Sequence, residues 1–314
     1  MNNSFDKMVV SGSILKLLRH RSFVNQEKKP ISAQLILTNR CNLKCVFCCN
    51  KKRWGSQEME IKTAFKVLED LKDLGCKGVE FTGGSEPTMH RHFNDVLAYC
   101  IELGMKPALV TNGIRLTTIP LDLIEKLDWI RISINASSSN YKNIHSVDAY
   151  DKVIEGLEYI NDISIPNKGI SYIFCFQTTL KDAQELIDDL QRFNLDYFRF
   201  SIDVFNEPKC EITAPNFKSD SFPVVSHANR PTYIPKVCNI FYYKPVIDCS
   251  GLLYPCCTNM HKEILPLGEI SNLKGIFGSK DKKLDTKECI YCIYGEANDL
   301  IYQLGQDIIN EDFI

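Results

Sequence analysis

Cys41, Cys45 and Cys48 form a C-x3-C-x2-C run, and thiols at that spacing point first to metal chemistry. Three thiolates can hold three irons of a four-iron cluster, and the missing fourth protein ligand leaves one iron open to a small molecule. Structural zinc wants four ligands in C-x2-C or Cys/His pairings, which this run does not offer. Cys49 follows directly. Consecutive cysteines reach one metal only with strain, so Cys49 reads as a buried neighbour.

A second set lies near the other end of the chain. Cys238 is followed by twelve residues, then Gly251-Leu-Leu-Tyr-Pro-Cys256, and later Cys289-Ile-Tyr-Cys292. Zinc and an iron-sulfur cluster both accept four thiolates, so this spacing alone leaves the metal open. The glycine spacing selects Cys256 over Cys257, and with Cys249 the latter is left spare. Fourteen cysteines are too many for core packing alone, and reducing conditions disfavour a disulfide framework. Two separate metal sites are the better reading.

These residues need a scaffold, and the chain of 314 residues can supply an α/β core with a small second domain. Apolar strand-like runs near 32–38, 78–82, 107–111, 129–135, 169–177 and 196–202 alternate with helix-period segments. One helix face collects Ile61, Ala64, Phe65, Leu68 and Leu71; another, after Thr179, collects Ala183, Leu186, Ile187, Leu190 and Phe193. Strand followed by helix six times predicts α/β architecture with a parallel sheet curled by right-handed crossovers. The expected fold is an open partial (βα)6 TIM-like barrel with a small cysteine-rich C-terminal domain. Its expected parts are an N-terminal arm over 1–31, the barrel over 32–205, a proline-rich linker over 206–237 and a cluster domain over 238–314.

Ligands in such sheets bind beyond the carboxyl ends of the strands. After the second strand comes Thr82-Gly83-Gly84-Ser85-Glu86-Pro87, where glycines admit a close ligand and an acceptor can receive a charged amino group. Thr111-Asn112-Gly113 ends the third strand, although Asn-Gly is also a common turn pair. Ser133-Ile-Asn135 ends the fourth, Gln177 and Thr178 the fifth, and Arg199 and Ser201 lie on the sixth, where the arginine could pair with a carboxylate or form a structural ion pair.

In the first run, with the aromatic Phe47 before the third cysteine, the sequence resembles the radical S-adenosylmethionine superfamily over about 32–205. The resemblance implies a 4Fe-4S cluster on Cys41, Cys45 and Cys48 whose free iron takes the amino and carboxylate groups of S-adenosylmethionine. Reductive cleavage then releases methionine and a deoxyadenosyl radical that abstracts hydrogen. Gly83, Gly84, Ser85 and Glu86 resemble the family's glycine-rich motif for the methionine amino group, with Ser85 where a second glycine usually precedes the glutamate. Thr111, Asn112, Ser133 and Asn135 resemble positions that hydrogen-bond the ribose or the methionine carboxylate. The second set, with Leu267-Gly268-Glu269-Ile270, resembles the SPASM extension or its shortened twitch form. That resemblance implies one auxiliary 4Fe-4S cluster on Cys238, Cys256, Cys289 and Cys292.

A fully ligated second cluster can accept the electron left after hydrogen abstraction. The expected reaction is therefore oxidation of a small alcohol or carbohydrate-like substrate. Peptide modification is the first alternative, although no spare stretch is expected to be long enough for an added leader-binding domain. Epimerisation with Cys210, Cys249 or Cys257 as hydrogen donor is the second, and each is first a buried thiol. A non-enzymatic metal-binding interaction module is the opposing class. No catalytic base is assigned; Glu207, Asp203 and His227 lie near the linker, where solvated surface explains them equally. A flavodoxin or ferredoxin electron donor is implied by resemblance, with Lys44, Lys51, Lys52 and Arg53 as its docking face.

The 37 basic and 39 acidic residues balance to a net charge of -2, which offers no general attraction for nucleic acid or anionic membrane. No apolar run approaches the roughly 20 residues of a spanning helix and no secretory core opens the chain, so a cytoplasmic location is expected.

Overall fold

Alternating burial along the strands divides the sheet into two unlike faces. In the computed structural model, which describes residues 28–203, 217–226, 234–261, 266–278, 284–289 and 292–304, strand β4 (Trp129–Ser133) buries Ile130 and Ile132 and leaves Trp129, Arg131 and Ser133 half-buried on the other side. Strand β6 (Tyr197–Ile202) does the same with Phe198 and Phe200 against Tyr197, Arg199 and Ser201. The apolar face packs under helices into one large core; the inner face is polar and half-open.

The remaining barrel strands are β1 (Ser32–Leu35), β2 (Gly78–Phe81), β3 (Lys106–Thr111) and β5 (Lys168–Phe174). Between them run α1 (Ile61–Asp73), α2 (Phe93–Glu102), α3 (Leu121–Ile124), α4 (Tyr141–His145) and α5 (Tyr150–Ile160), and α6 (Leu180–Leu190) leads to β6. The two faces expected from helical spacing are the ones that pack. Ala64, Leu68 and Leu71 of α1 are buried, Ile61 and Phe65 pack partly buried beside them, and Ala183, Leu186, Ile187, Leu190 and Phe193 are all buried. Thr179 caps α6 by accepting from the Asp182 backbone N–H at 3.0 Å.

The six strands pair in parallel in sequence order, and the sheet stays open. It also extends past them at both edges. Val224–Ser226, inside the stretch expected to be a linker, forms β7 parallel to β6. After β8 (Val237–Cys238), the strand β9 (Val246–Ile247) pairs in parallel with β1, followed by β10 (Leu252–Tyr254) and β11 (Gly268–Glu269) in antiparallel order. Proline and glycine content conceals such strands of two or three residues, because pairing to an existing edge, not local propensity, forms them. Helix α7 (Cys257–His261) follows β10, α8 (Leu273–Gly278) follows β11, and β12 (Leu284–Asp285), paired with β8, precedes α9 (Gly295–Leu304). Most of the N-terminal arm lies outside the described residues, as do Glu207, Cys210 and His227. No helix among the described residues is long and apolar enough to cross a membrane.

The C-terminal strands are pinned to the inner face by a buried charge. Glu80 on β2 accepts from Gln34 Nε2 at 3.1 Å and pairs with Lys244 Nζ at 2.9 Å, with Arg131 at 4.0 Å. Burial would push the Glu80 carboxyl up, but Lys244, Arg131 and the hydrogen bonds hold it below the usual range. Removing one partner of such a pair leaves the other charge buried and costs about 3–5 kcal/mol. Glu80→Ala is therefore expected to destabilise the chain by that amount, and thermal unfolding against pH checks the cause. A carboxylate held below 4.5 stabilises above its unfolded pKa, so the wild-type advantage over Glu80→Gln should be present at neutral pH and vanish as pH falls below 4.5.

Candidate functional site

Glu86, 2% exposed, is the point at which three strand ends meet. Its Oε1 accepts from Thr111 Oγ1 at 2.7 Å, from Thr88 Oγ1 at 2.7 Å and from the Thr88 backbone N–H at 3.2 Å; its Oε2 accepts from the Asn112 backbone N–H at 2.7 Å. The Glu86 backbone N–H in turn donates to the Arg40 carbonyl at 3.1 Å. One carboxylate thus joins the loop after β2, the end of β3 and the start of the cysteine loop. Burial pushes its pKa up while those donors pull it back.

The glycine-rich stretch turns sharply beside it. Gly83 has φ +23° and Gly84 φ +93°, and a Cβ on Gly84 would meet Ile36 Cγ2 at 3.2 Å. Ser85 is not among the residues of positive φ, and its hydroxyl donates to the Thr38 carbonyl. The left-handed turn is made before Ser85, so the serine fits where the resemblance led one to look for glycine.

The other strand-end residues line up along the same edge of the sheet. Asn112 Nδ2 donates to Asn42 Oδ1 in the cysteine loop at 2.7 Å, and its own Oδ1 accepts from the Ile114 backbone N–H at 3.1 Å, so the turn reading and the site reading of Asn112 coexist. Asn135 Oδ1 accepts from the Ile173 backbone N–H at 2.8 Å, tying β4 to β5. Ser133 Oγ lies 3.1 Å from Ser171 Oγ, and the register sets Ser171 opposite Arg199. Ser171 is a polar neighbour that sequence patterning missed, because it lies inside a strand, away from any turn.

Cys41, Cys45 and Cys48 come within electrostatic reach of one another. Burial raises all three thiols, Cys41 to about 11, and repulsion from neighbouring thiols adds to it at Cys41 and Cys45. Such thiols keep their protons unless a cationic centre takes the protons' place, which is how an iron-sulfur cluster would be held there. The Leu43 backbone N–H donates to Cys41 Sγ at 3.4 Å, Trp54 hydrogen-bonds Cys48, and His145 Nδ1 lies 3.0 Å from Cys45 Sγ. Phe47 stands edge-on to His145, ring centroids 6.1 Å apart. Trp54 and His145 lack any spacing signal relative to the cysteines, His145 being 100 residues from Cys45.

The second set gathers in part. Burial first, then Cys292 and Cys289, carry the Cys238 thiol to about 12, and burial and Cys289 raise Cys292. Asn298, 1% exposed, accepts from the Asn239 and Ile240 backbone N–H groups at 2.6 and 2.8 Å, and its Nδ2 lies 3.9 Å from Cys292 Sγ. Cys256 and Cys257 both lie by Tyr294, and Cys257 on α7 lies also by Lys244, Glu80 and Cys49. Cys249 is buried beside Asp248 and Arg53, and burial first raises it to about 11. Asp203 is buried at the end of β6, within reach of Cys48 and Cys49. Lys44, Lys51 and Lys52 are exposed, whereas Arg53 is tied to Asp248 and lies over the Tyr254 ring. Among the described residues, no three His, Cys, Asp or Glu side chains close to the spacing of a single metal ion.

A family profile described as the Radical SAM superfamily matches residues 35–190. The "Probable GTP 3',8-cyclase" of Saccharolobus islandicus is 30% identical over 144 residues, 45% of this chain and 46% of that protein. The protein of the same description from Sulfurisphaera tokodaii is 34% identical over 129 residues, 40% of this chain and 41% of that one. The aligned stretch thus spans less than half the length of these relatives. In fold, the chain is similar to Streptococcus suis SuiB bound to S-adenosylmethionine, with TM-score 0.57 and 17% identity over 88% of this chain and 69% of that one. It is also similar to native anSMEcpe with bound AdoMet and a peptide, with TM-score 0.56 and 14% identity over 80% and 81%.

The four donors around Glu86 separate two roles for its carboxylate. Removing it leaves buried donors unsatisfied at about 1–3 kcal/mol. Glu86→Ala is expected to lower the thermal midpoint of the metal-free chain accordingly, measured by circular dichroism. An unchanged midpoint with weakened S-adenosylmethionine binding would show that the carboxylate serves the ligand alone.

Proposed function

Residues 35–190 form a radical SAM superfamily domain, and from that premise we propose that the protein cleaves S-adenosylmethionine reductively and abstracts hydrogen from a small alcohol or carbohydrate-like substrate, completing a two-electron oxidation. The observation that carries this reading is the half-buried C-x3-C-x2-C loop, hydrogen-bonded through Asn42 and Arg40 to the glycine-rich turn and the end of β3. When bound, the cluster and S-adenosylmethionine supply a deoxyadenosyl radical.

The chain's own residues do the rest. Cys41, Cys45 and Cys48 hold three irons and leave the fourth open. The turn at Gly83 and Gly84 brings backbone to the methionine amino group, next to Ser85 and the Glu86 loop. Thr111, Asn112, Ser133 and Asn135 edge the cofactor, and Arg199 on the inner face pairs with a carboxylate. The polar inner face, with Ser133, Ser171, Arg199 and Ser201, suits a hydroxyl-rich substrate better than an apolar one.

Cys238, Cys256, Cys289 and Cys292 would hold an auxiliary 4Fe-4S cluster, which would supply an acceptor for the second electron. The choice of Cys256 over Cys257 rests on the spacing from Gly251. An electron donor of flavodoxin or ferredoxin type docks at exposed Lys44, Lys51 and Lys52. Peptide modification is the second reading, supported by fold similarity over 94% of this chain, TM-score 0.57, to SuiB bound to precursor peptide SuiA.

Anaerobically reconstituted protein given S-adenosylmethionine and dithionite is expected to form deoxyadenosine, followed by chromatography. Cys45→Ala should reduce that product at least about hundredfold, as loss of a ligand rather than of an outer partner. Cys292→Ala should lower bound iron by one cluster while deoxyadenosine still forms. Wild-type protein that carries iron yet makes no deoxyadenosine would overturn the proposal.

A further inference from the structure

We propose that His145 is a built-in hydrogen-bond donor to the Cys45 thiolate that raises the reduction potential of the first cluster, a role that rests on the cluster reading above. The geometry has three parts. Cys45 Sγ and His145 Nδ1 are 3.0 Å apart, and the imidazole is 1% exposed. A thiolate bound to iron has no proton to give, so the hydrogen in that contact belongs to Nδ1. The neutral ring then bears no hydrogen on Nε2, an atom that is buried and has no hydrogen-bond partner.

The ring is fixed on all sides. The Lys44 backbone N–H donates to the His145 carbonyl at 3.0 Å, the Val46 N–H to the Ile144 carbonyl at 2.9 Å, and Ser146 Oγ to the Lys44 carbonyl at 3.0 Å. The cysteine loop and the end of α4 are thereby laced together on both sides of Cys45. Tyr141 tilts against the imidazole at 4.2 Å between centroids, and Phe47 meets it edge-on. A ring so confined cannot swing away when charge arrives on the sulfur. Reduction adds negative charge to the cluster and its thiolates, and a fixed N–H dipole in a dry setting stabilises the reduced form more than the oxidised form.

The test follows the electron paramagnetic resonance signal that S-adenosylmethionine perturbs, titrated against potential in cofactor-free protein. His145→Phe keeps an aromatic ring without the donor, and its reduced-to-oxidised ratio at fixed potential should fall about tenfold, which is about 59 mV for one electron. His145→Asn, which regains an N–H, should return most of that loss. If His145→Phe titrates as wild type, or His145→Asn stays as low as His145→Phe with full iron content, the inference is wrong. Should His145→Phe fail to load iron, wild-type protein labelled with 15N-histidine decides: the reduced cluster should show a weak 15N coupling, and its absence overturns the role. A protein in which no signal responds to S-adenosylmethionine refutes the site reading instead.

Discussion

A single buried carboxylate organises the edge of this sheet. Parallel strands end in backbone groups that no neighbour satisfies, and loops of different length leave those ends in different directions. Glu86 receives Thr88, Thr111 and the Asn112 backbone together, while its own N–H reaches back to Arg40. Three loops therefore share one anchor, and the cysteine loop inherits its position from it. Buried donors on an anion form stronger bonds than neutral pairs, and each has no alternative partner in the dry interior.

A second buried carboxylate does for the C-terminal strands what Glu86 does for the loops. Glu80 meets Lys244 and Arg131 on the inner face, and the strands that follow Lys244 extend the sheet along β1. Strands β9, β10 and β11 are thus continuous with the barrel's hydrogen-bonding ladder, whereas β8, which carries Cys238, pairs with β12 in a separate two-stranded sheet. The open sheet is a partial TIM-like barrel, similar in fold to SuiB, and residues 35–190 match the Radical SAM superfamily profile.

Local pattern carried much of this. Helical spacing in α1 and α6 named the packed faces, and the six barrel strands follow the apolar runs. The short strands β7, β9, β10 and β11 left no comparable trace, since each consists of two or three residues that are extended only because an edge awaits them. Glu86, Thr111, Asn112 and Asn135 were legible as strand-end polar residues, but their mutual bonds were not. The same side chains that border the site also brace the loops that build it.

The sequence by itself determined the chemistry available: thiols at C-x3-C-x2-C, a Gly-Gly turn before Glu86, and alternation that makes one sheet face polar. These are local properties, set by bond geometry and by the period of the chain. Only the tertiary structure decided which groups surround the thiols. His145 lies 100 residues from Cys45 and Lys244 joins Glu80 from beyond the barrel, contacts that exist because a folded interior forces buried polar atoms to find partners wherever the chain brings them.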